Sequence, residues 1–187
     1  MMKIAVFTAS PNKEGLTNAC GKAAERGLEL AGADFETISL NDNDISLCQA
    51  GGSGWGTCRE KHGCQVEDGF QKLHALVAGS DAYVFITPVY WGDLSERMKA
   101  FMDRLRRCEA FNDKNIFSGK PMMFVAAAGG SGNGTVSCLE TFERFSNHVK
   151  AVKFDFISIT RKSREYKLEA IKAAAGAMAG FLSAGAQ

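Results

Sequence analysis

Short apolar runs alternate along this chain with longer stretches whose apolar positions recur at helical spacing. Lys3–Thr8 is almost continuously apolar, without clean period-2 alternation, which is how a parallel strand buried on both faces reads. Asp81–Thr87 predicts the next buried strand and Pro121–Ala128 another. Asp34–Leu40 alternates more and predicts an outer strand; Val152–Ile159 predicts a fifth. Between them, Thr17–Leu30 is rich in Ala, Glu and Lys and closes on Ala31-Gly32, a helix with its stop signal. Asp68–Ala78 and Thr135–Val149 also read as helices. Leu94–Cys108 carries a helical stripe of Leu94, Met98, Phe101, Met102 and Leu105. Glu165–Ala184 predicts a last helix, alanine-rich and faced with small residues.

Five strands interleaved with helices imply right-handed βαβ units and a doubly wound parallel sheet of the α/β class. The strand count favours the flavodoxin-like order 2-1-3-4-5. In that order strands 1, 3 and 4 are neighbours. Their carboxyl-end loops, Ala9–Asn18, Pro88–Asp93 and Gly129–Gly134, then meet at one crevice. These are also the loops of oddest composition, so fold and loop chemistry point to the same place. Residues 1–187 are expected to form one domain, with no internal repeat or linker. Asn41–Glu67 is too polar and glycine-rich for a core element, and a connection this long is more often functional or mobile than silent.

Bulk properties narrow the function. The chain is 45% hydrophobic and 23% charged, with net charge +1, as for a soluble globular protein. No basic run neutralises a phosphate backbone, which argues against nucleic acid as a partner. Near-neutrality also argues against a small acidic electron carrier that steers by a one-signed surface. No run approaches the roughly 20 apolar residues of a membrane span. Met1-Met2-Lys3-Ile4 enters a strand directly rather than resembling a signal peptide, so a cytoplasmic location is expected. The six cysteines, at positions 20, 48, 58, 64, 108 and 138, are expected as thiols and contain no Cys-x-x-Cys, which gives zinc little support.

Thr87-Pro88-Val89-Tyr90-Trp91-Gly92 is the most telling stretch. Proline is expected to end strand pairing, glycine to let the backbone approach something closely, and Tyr90 and Trp91 to stand at the sheet's carboxyl edge, where planar ligands bind. The plainer reading is a loop that tucks two aromatics away. Ser10-Pro11-Asn12-Lys13-Glu14-Gly15-Leu16-Thr17-Asn18 offers hydroxyls, amides and a helix start to an anion, with Gly15 letting the loop curl. It is neither a nucleoside-triphosphate loop nor Gly-x-Gly-x-x-Gly. Alternatively Thr17 is a plain helix cap.

The Ser10–Asn18 loop, Thr87–Ser95 and Lys99-Ala100-Phe101-Met102-Asp103-Arg104 together resemble the NADPH-dependent FMN reductases and the related iron–sulfur flavoproteins, from strand 1 to about Val149. The resemblance implies a flavodoxin-like fold and bound FMN. It implies that Ser10, Asn12, Gly15, Thr17 and Asn18 hold the phosphate. Pro88, Val89, Tyr90, Trp91 and Gly92 would line the isoalloxazine, and Ala128, Gly129, Gly130, Ser131 and Gly132 would approach its pyrimidine edge. Leu16 departs from the polar residue such loops often carry. The resemblance also offers Cys48, Cys58 and Cys64 as cluster ligands. A cubane takes four thiolates and the loop has three, with Trp55 where a further cysteine would fit, so no metal is expected.

The activity implied is electron transfer from NADPH or NADH, through bound flavin, to a quinone, free flavin or similar small acceptor. The alternatives are a carrier or iron–sulfur flavoprotein shuttling electrons between proteins, or a flavin-binding sensor. The flavin carries the chemistry, so no catalytic side chain is expected. His62, His74 and His148 read as structural or solvated. Arg104, Arg106 and Arg107 read either as a solvated helix end or as a site for the extra phosphate of NADPH. Homodimers or homotetramers are implied by the family. Ala170–Ala184 could serve such packing or the core of its own chain.

Overall fold

A computed structural model of the protein describes residues 2–51 and 54–185. Its strands are β1 (Lys3–Thr8), β2 (Asp34–Ser39), β3 (Ala82–Tyr90), β4 (Asp93–Leu94), β5 (Pro121–Ala128) and β6 (Val152–Thr160). Five of them run parallel in the order β2-β1-β3-β5-β6, and β4 pairs antiparallel with the end of β3. The winding is the flavodoxin-like one, but the sheet has six strands rather than the five expected. A two-residue strand carries no periodicity to read. Leu94, expected to open a helix, belongs to β4. Ser95 caps the helix instead, its hydroxyl accepting from the Met98 N–H at 3.4 Å.

Pro88 does not end β3. It pairs with Ala127 on the last rung with β5, and the chain then leaves the parallel sheet to form the β3–β4 hairpin through Tyr90 and Asp93. A proline can occupy such a terminal rung, where no further ladder donor is needed.

The helices are α1 (Leu16–Leu30), α2 (Cys58–Lys61), α3 (Phe70–Ala78), α4 (Glu96–Glu109), α5 (Thr135–His148) and α6 (Arg164–Gly185). The strands look uniformly apolar in sequence, yet their two faces differ. Phe7, Tyr83, Phe85 and Phe124 point to one side, where they meet Phe70, Phe101, Phe142 and Phe145 of α3, α4 and α5. Phe85 stacks on Phe7 at 5.3 Å and on Phe124 at 5.8 Å between ring centroids. Ile4, Val6, Val84, Ile86 and Val125 point to the other side, against α1 and α6. Period-2 alternation is present, but between aromatic and branched side chains.

The small-residue face of α6 packs within its own chain. Ile171, Ala175, Met178 and Ala179 are buried against α1. A Cβ on Gly27 would lie 2.1 Å from the Lys172 carbonyl oxygen, so the two helices cross backbone to backbone. The Asn41–Glu67 segment is also less free than its composition suggests. It holds a 3-10 turn at Leu40–Asp42, buried Ile45 and α2. Gly52 and Ser53 of this segment lie outside the described residues.

Candidate functional site

The carboxyl ends of β1, β3 and β5 frame a cavity of about 460 Å3, within the range of small-molecule sites. Ser10, Asn12, Gly15 and Thr17 line it from the first loop, Pro88, Val89 and Tyr90 from the second, and Gly129 and Gly130 from the third. The three loops that the strand order brings together do converge.

One end of the crevice suits an anion. α1 begins at Leu16, with Gly15 as its N-cap and no side-chain cap, so Thr17 lies inside the first turn rather than capping it. The first intrahelical bond runs from Ala19 N–H to the Gly15 carbonyl, which leaves the amides of Leu16, Thr17 and Asn18 without intrahelical acceptors. Asn12 shapes the loop: its side-chain oxygen accepts from Glu14 N–H at 2.9 Å, and its carbonyl from Ser10 Oγ at 3.0 Å. Gly15 has an ordinary φ of −78°, so it is not a left-handed hinge. A Cβ there would crowd the Asn12 side chain at 3.3 Å. Two arginines join the lining. Arg161, from the β6–α6 turn, and Arg164, the first residue of α6, line the same cavity. Sequence reasoning missed them, although the Arg161-Lys162-Ser163-Arg164 run directly follows a strand whose carboxyl end faces the crevice.

The structure does not bring every expected residue into the cavity. Trp91 sits at the hairpin tip with φ +52° and its side chain fully exposed. Asn18 turns to the Lys13 carbonyl at 2.5 Å, beside a smaller neighbouring cavity. Ser131 Oγ accepts from Asn133 N–H, and Gly132 lies beside Thr160. Ala128 is buried at the end of β5, and Gly92 holds the second loop to the third. Ser137 Oγ donates to the Gly92 carbonyl at 2.7 Å, and Gly134 is so near that a Cβ there would lie 2.6 Å from Gly92 Cα.

Arg104, Arg106 and Arg107 of α4 part company. Arg104 is wholly buried, paired with Asp68. Arg107 lies over the Trp55 ring at 4.7 Å and donates to the Gly54 carbonyl. Arg106 lines a groove between α4 and α5. They therefore form no common phosphate site. His74 is structural, its Nε2 2.9 Å from the buried Glu109 carboxylate. Burial, with Arg106 nearby, lowers the pKa of His148.

Residues 2–161 match the family of NADPH-dependent FMN reductases. The chain belongs to this family. An iron–sulfur flavoprotein of Archaeoglobus fulgidus is 34% identical over 104 residues, covering 56% of this chain and 46% of that protein. One from Methanosarcina thermophila is 28% identical over 139 residues, 71% of this chain and 66% of that protein. The chain thus spans less than two-thirds of the length of these relatives. Among solved structures, an NAD(P)H:quinone oxidoreductase from Methanothermobacter marburgensis superposes with TM-score 0.70 at 18% identity, covering 94% of each chain. A flavodoxin from the domain Archaea superposes with TM-score 0.64 at 17% identity, covering 98% of this chain and 99% of the other. These likenesses confirm the flavodoxin-like fold. Among the described residues no helix is long and apolar enough to cross a membrane.

The crevice fits FMN. The amides of Leu16, Thr17 and Asn18 lack intrahelical acceptors, and Arg161, Arg164, Pro88–Tyr90, Gly129 and Gly130 line the same cavity. The cysteine segment does not fit a cubane cluster. Cys48, Cys58 and Cys64 share a cavity of about 10 Å3, and among the described residues no three His, Cys, Asp or Glu side chains are grouped to hold a metal ion.

Proposed function

We propose that this protein uses FMN, held in the β1–β3–β5 crevice, to pass electrons from NAD(P)H to a small acceptor such as a quinone or free flavin. The lining of the crevice carries this reading: a helix start with unpaired amides beside a wall of Pro88, Val89, Tyr90, Gly129 and Gly130. The amides of Leu16, Thr17 and Asn18, the Thr17 hydroxyl and the Arg161 and Arg164 guanidinium groups hold the phosphate. Pro88, Val89 and Tyr90 bound one side of the slot and exclude water from it. Gly129 and Gly130, without side chains, let backbone N–H groups approach the opposite edge, where fixed donors stabilise developing negative charge. FMN, when bound, supplies the hydride and electron chemistry. No side-chain acid or base is needed, which agrees with the scatter of the histidines.

Anaerobic titration with FMN and then NADPH or NADH tests the reading. A flavin spectrum that shifts on binding and bleaches with the nicotinamide supports it. An unchanged spectrum at saturating FMN overturns it. The names of the relatives favour a second reading, an electron shuttle between proteins. Steady NADPH oxidation with quinone or free flavin as the sole acceptor excludes the shuttle; single reduction without turnover favours it.

A further inference from the structure

The segment between β2 and α3 contains half of the cysteines, and a fourth thiol reaches it from α4. Cys108 is fully buried, and burial together with the neighbouring Cys58 and Cys64 pushes its pKa far up. This segment and the helix against it thus carry four thiols, the number a cubane takes, although among the described residues no three of them are grouped to hold a metal ion. The space between them is taken. The cavity shared by Cys48, Cys58 and Cys64 has about 10 Å3, room for no more than about one water.

A side-chain stack runs across the same segment. The Arg107 guanidinium lies 4.7 Å from the centre of the Trp55 ring, Trp55 meets Phe111 edge-on at 5.5 Å, and Arg59 lies 4.4 Å from the centre of the Phe111 ring. Three arginines of α4 then grip the segment's carbonyls. Arg97 donates to Ile45 O at 2.9 Å, Arg104 to Ser46 O at 3.1 Å and Val66 O at 3.0 Å, and Arg107 to Gly54 O. Spacings of seven and three residues put these arginines on one face of α4. Side chains thus fasten the segment at both ends and in the middle.

We propose that in this chain the arginine face of α4 and the Arg107–Trp55–Phe111–Arg59 stack hold the Asn41–Glu67 segment in place of a metal centre. Cys48, Cys58, Cys64 and Cys108 then carry neither an iron–sulfur cluster nor zinc. An acceptor then takes its electrons at the flavin crevice itself. The metal-free part of the proposal stands independently of FMN binding, because metal content is measured whether or not the crevice is filled.

The full chain is purified without oxygen, incubated with ferrous iron and sulfide, desalted, and assayed for iron, sulfide and zinc. Metal well below one atom per chain is expected. Retention of about four irons and four sulfides, or of one zinc, overturns the proposal. The stack is tested in the same preparation by limited proteolysis. Trp55→Ala is expected to speed cleavage within 54–61 about tenfold, since it removes one cation–aromatic and one aromatic contact. A chelator is expected to leave wild-type cleavage unchanged. Cleavage unaffected by Trp55→Ala, or accelerated by the chelator, overturns it.

Discussion

Arg104 and Asp68 form a two-pronged ion pair beneath the cysteine segment, with Nη1 2.7 Å from Oδ2 and Nη2 3.0 Å from Oδ1. Asp68 also accepts from the Ser46 and Phe70 amides, so one carboxylate ties the segment, the start of α3 and α4 together. Burial alone would raise its pKa. The guanidinium and the two amides outweigh that and hold it at about 2. A depressed carboxylate stabilises the fold above its unfolded pKa and ceases to do so as pH falls through the folded one. Asp68 therefore contributes on the order of 2 kcal/mol above about pH 4, lost towards pH 2. Asp68→Asn strands a buried guanidinium and is expected to cost about 3–5 kcal/mol near neutrality. Chemical denaturation of both proteins across this range checks the sign: the gap between them should narrow towards pH 2.

Thr17 stands inside the first turn of α1, 5% exposed, at the anion end of the crevice. Because Gly15 is the N-cap, loss of the hydroxyl removes no cap. Thr17→Ala is expected to weaken FMN binding about 10- to 150-fold, the effect of one hydrogen bond to a charged group. The melting point of the FMN-free protein should barely move. Unchanged affinity in a flavin titration would remove Thr17 from the site.

Arg164 borders both the main crevice and the smaller cavity beside Lys13 and Lys22. Arg164→Ala is expected to weaken FMN binding roughly tenfold at low salt, through loss of a charge-assisted contact. Wild-type affinity should also fall more steeply with added salt than that of the variant, because the removed contact is screened. Parallel salt curves would place Arg164 outside the phosphate's reach.

Tyr90 and Trp91 are adjacent in sequence but differ in place. Tyr90 lines the crevice, whereas Trp91 projects from the hairpin tip into solvent. Tyr90→Ala is expected to shift the bound flavin's absorption bands, and Trp91→Ala to leave them as they are. The opposite result would mean that the hairpin turns over when flavin binds.

Much of this arrangement was legible in the chain. Lys3–Thr8, Asp81–Thr87 and Pro121–Ala128 announced central strands because burial on both faces leaves no polar positions. The three odd loops located the crevice because strand order alone decides which carboxyl ends meet. What escaped was set by partners distant in sequence. Nothing near Arg104 says that Asp68, 36 residues earlier, will neutralise it. Nothing near Cys108 says that Cys58 will lie against it. Arg161 and Arg164 lie after the last strand, beyond the motifs that define the loops, yet the parallel sheet returns them to the same edge.

Gly134 and Gly92 hold the second and third loops together, and this contact tests whether crevice width matters. Gly134 has φ +79°, and a Cβ on it would lie 2.6 Å from Gly92 Cα and 3.1 Å from Gly92 N. Neither clash can be relieved by turning a side chain, because both atoms are backbone. Gly134→Ala is therefore expected to cost about 1–3 kcal/mol from the left-handed conformation alone. It must also push the β3–β4 hairpin away from the start of α5 and stretch the Ser137–Gly92 hydrogen bond. FMN affinity should fall along with stability, because Pro88, Val89 and Tyr90 belong to the strand that moves. Ser137→Ala removes the 2.7 Å hydrogen bond without the clash and separates the two effects. It should lower stability by about 1 kcal/mol and leave flavin affinity nearly intact. If both variants lose affinity equally, the hydrogen bond rather than the close backbone contact sets the crevice.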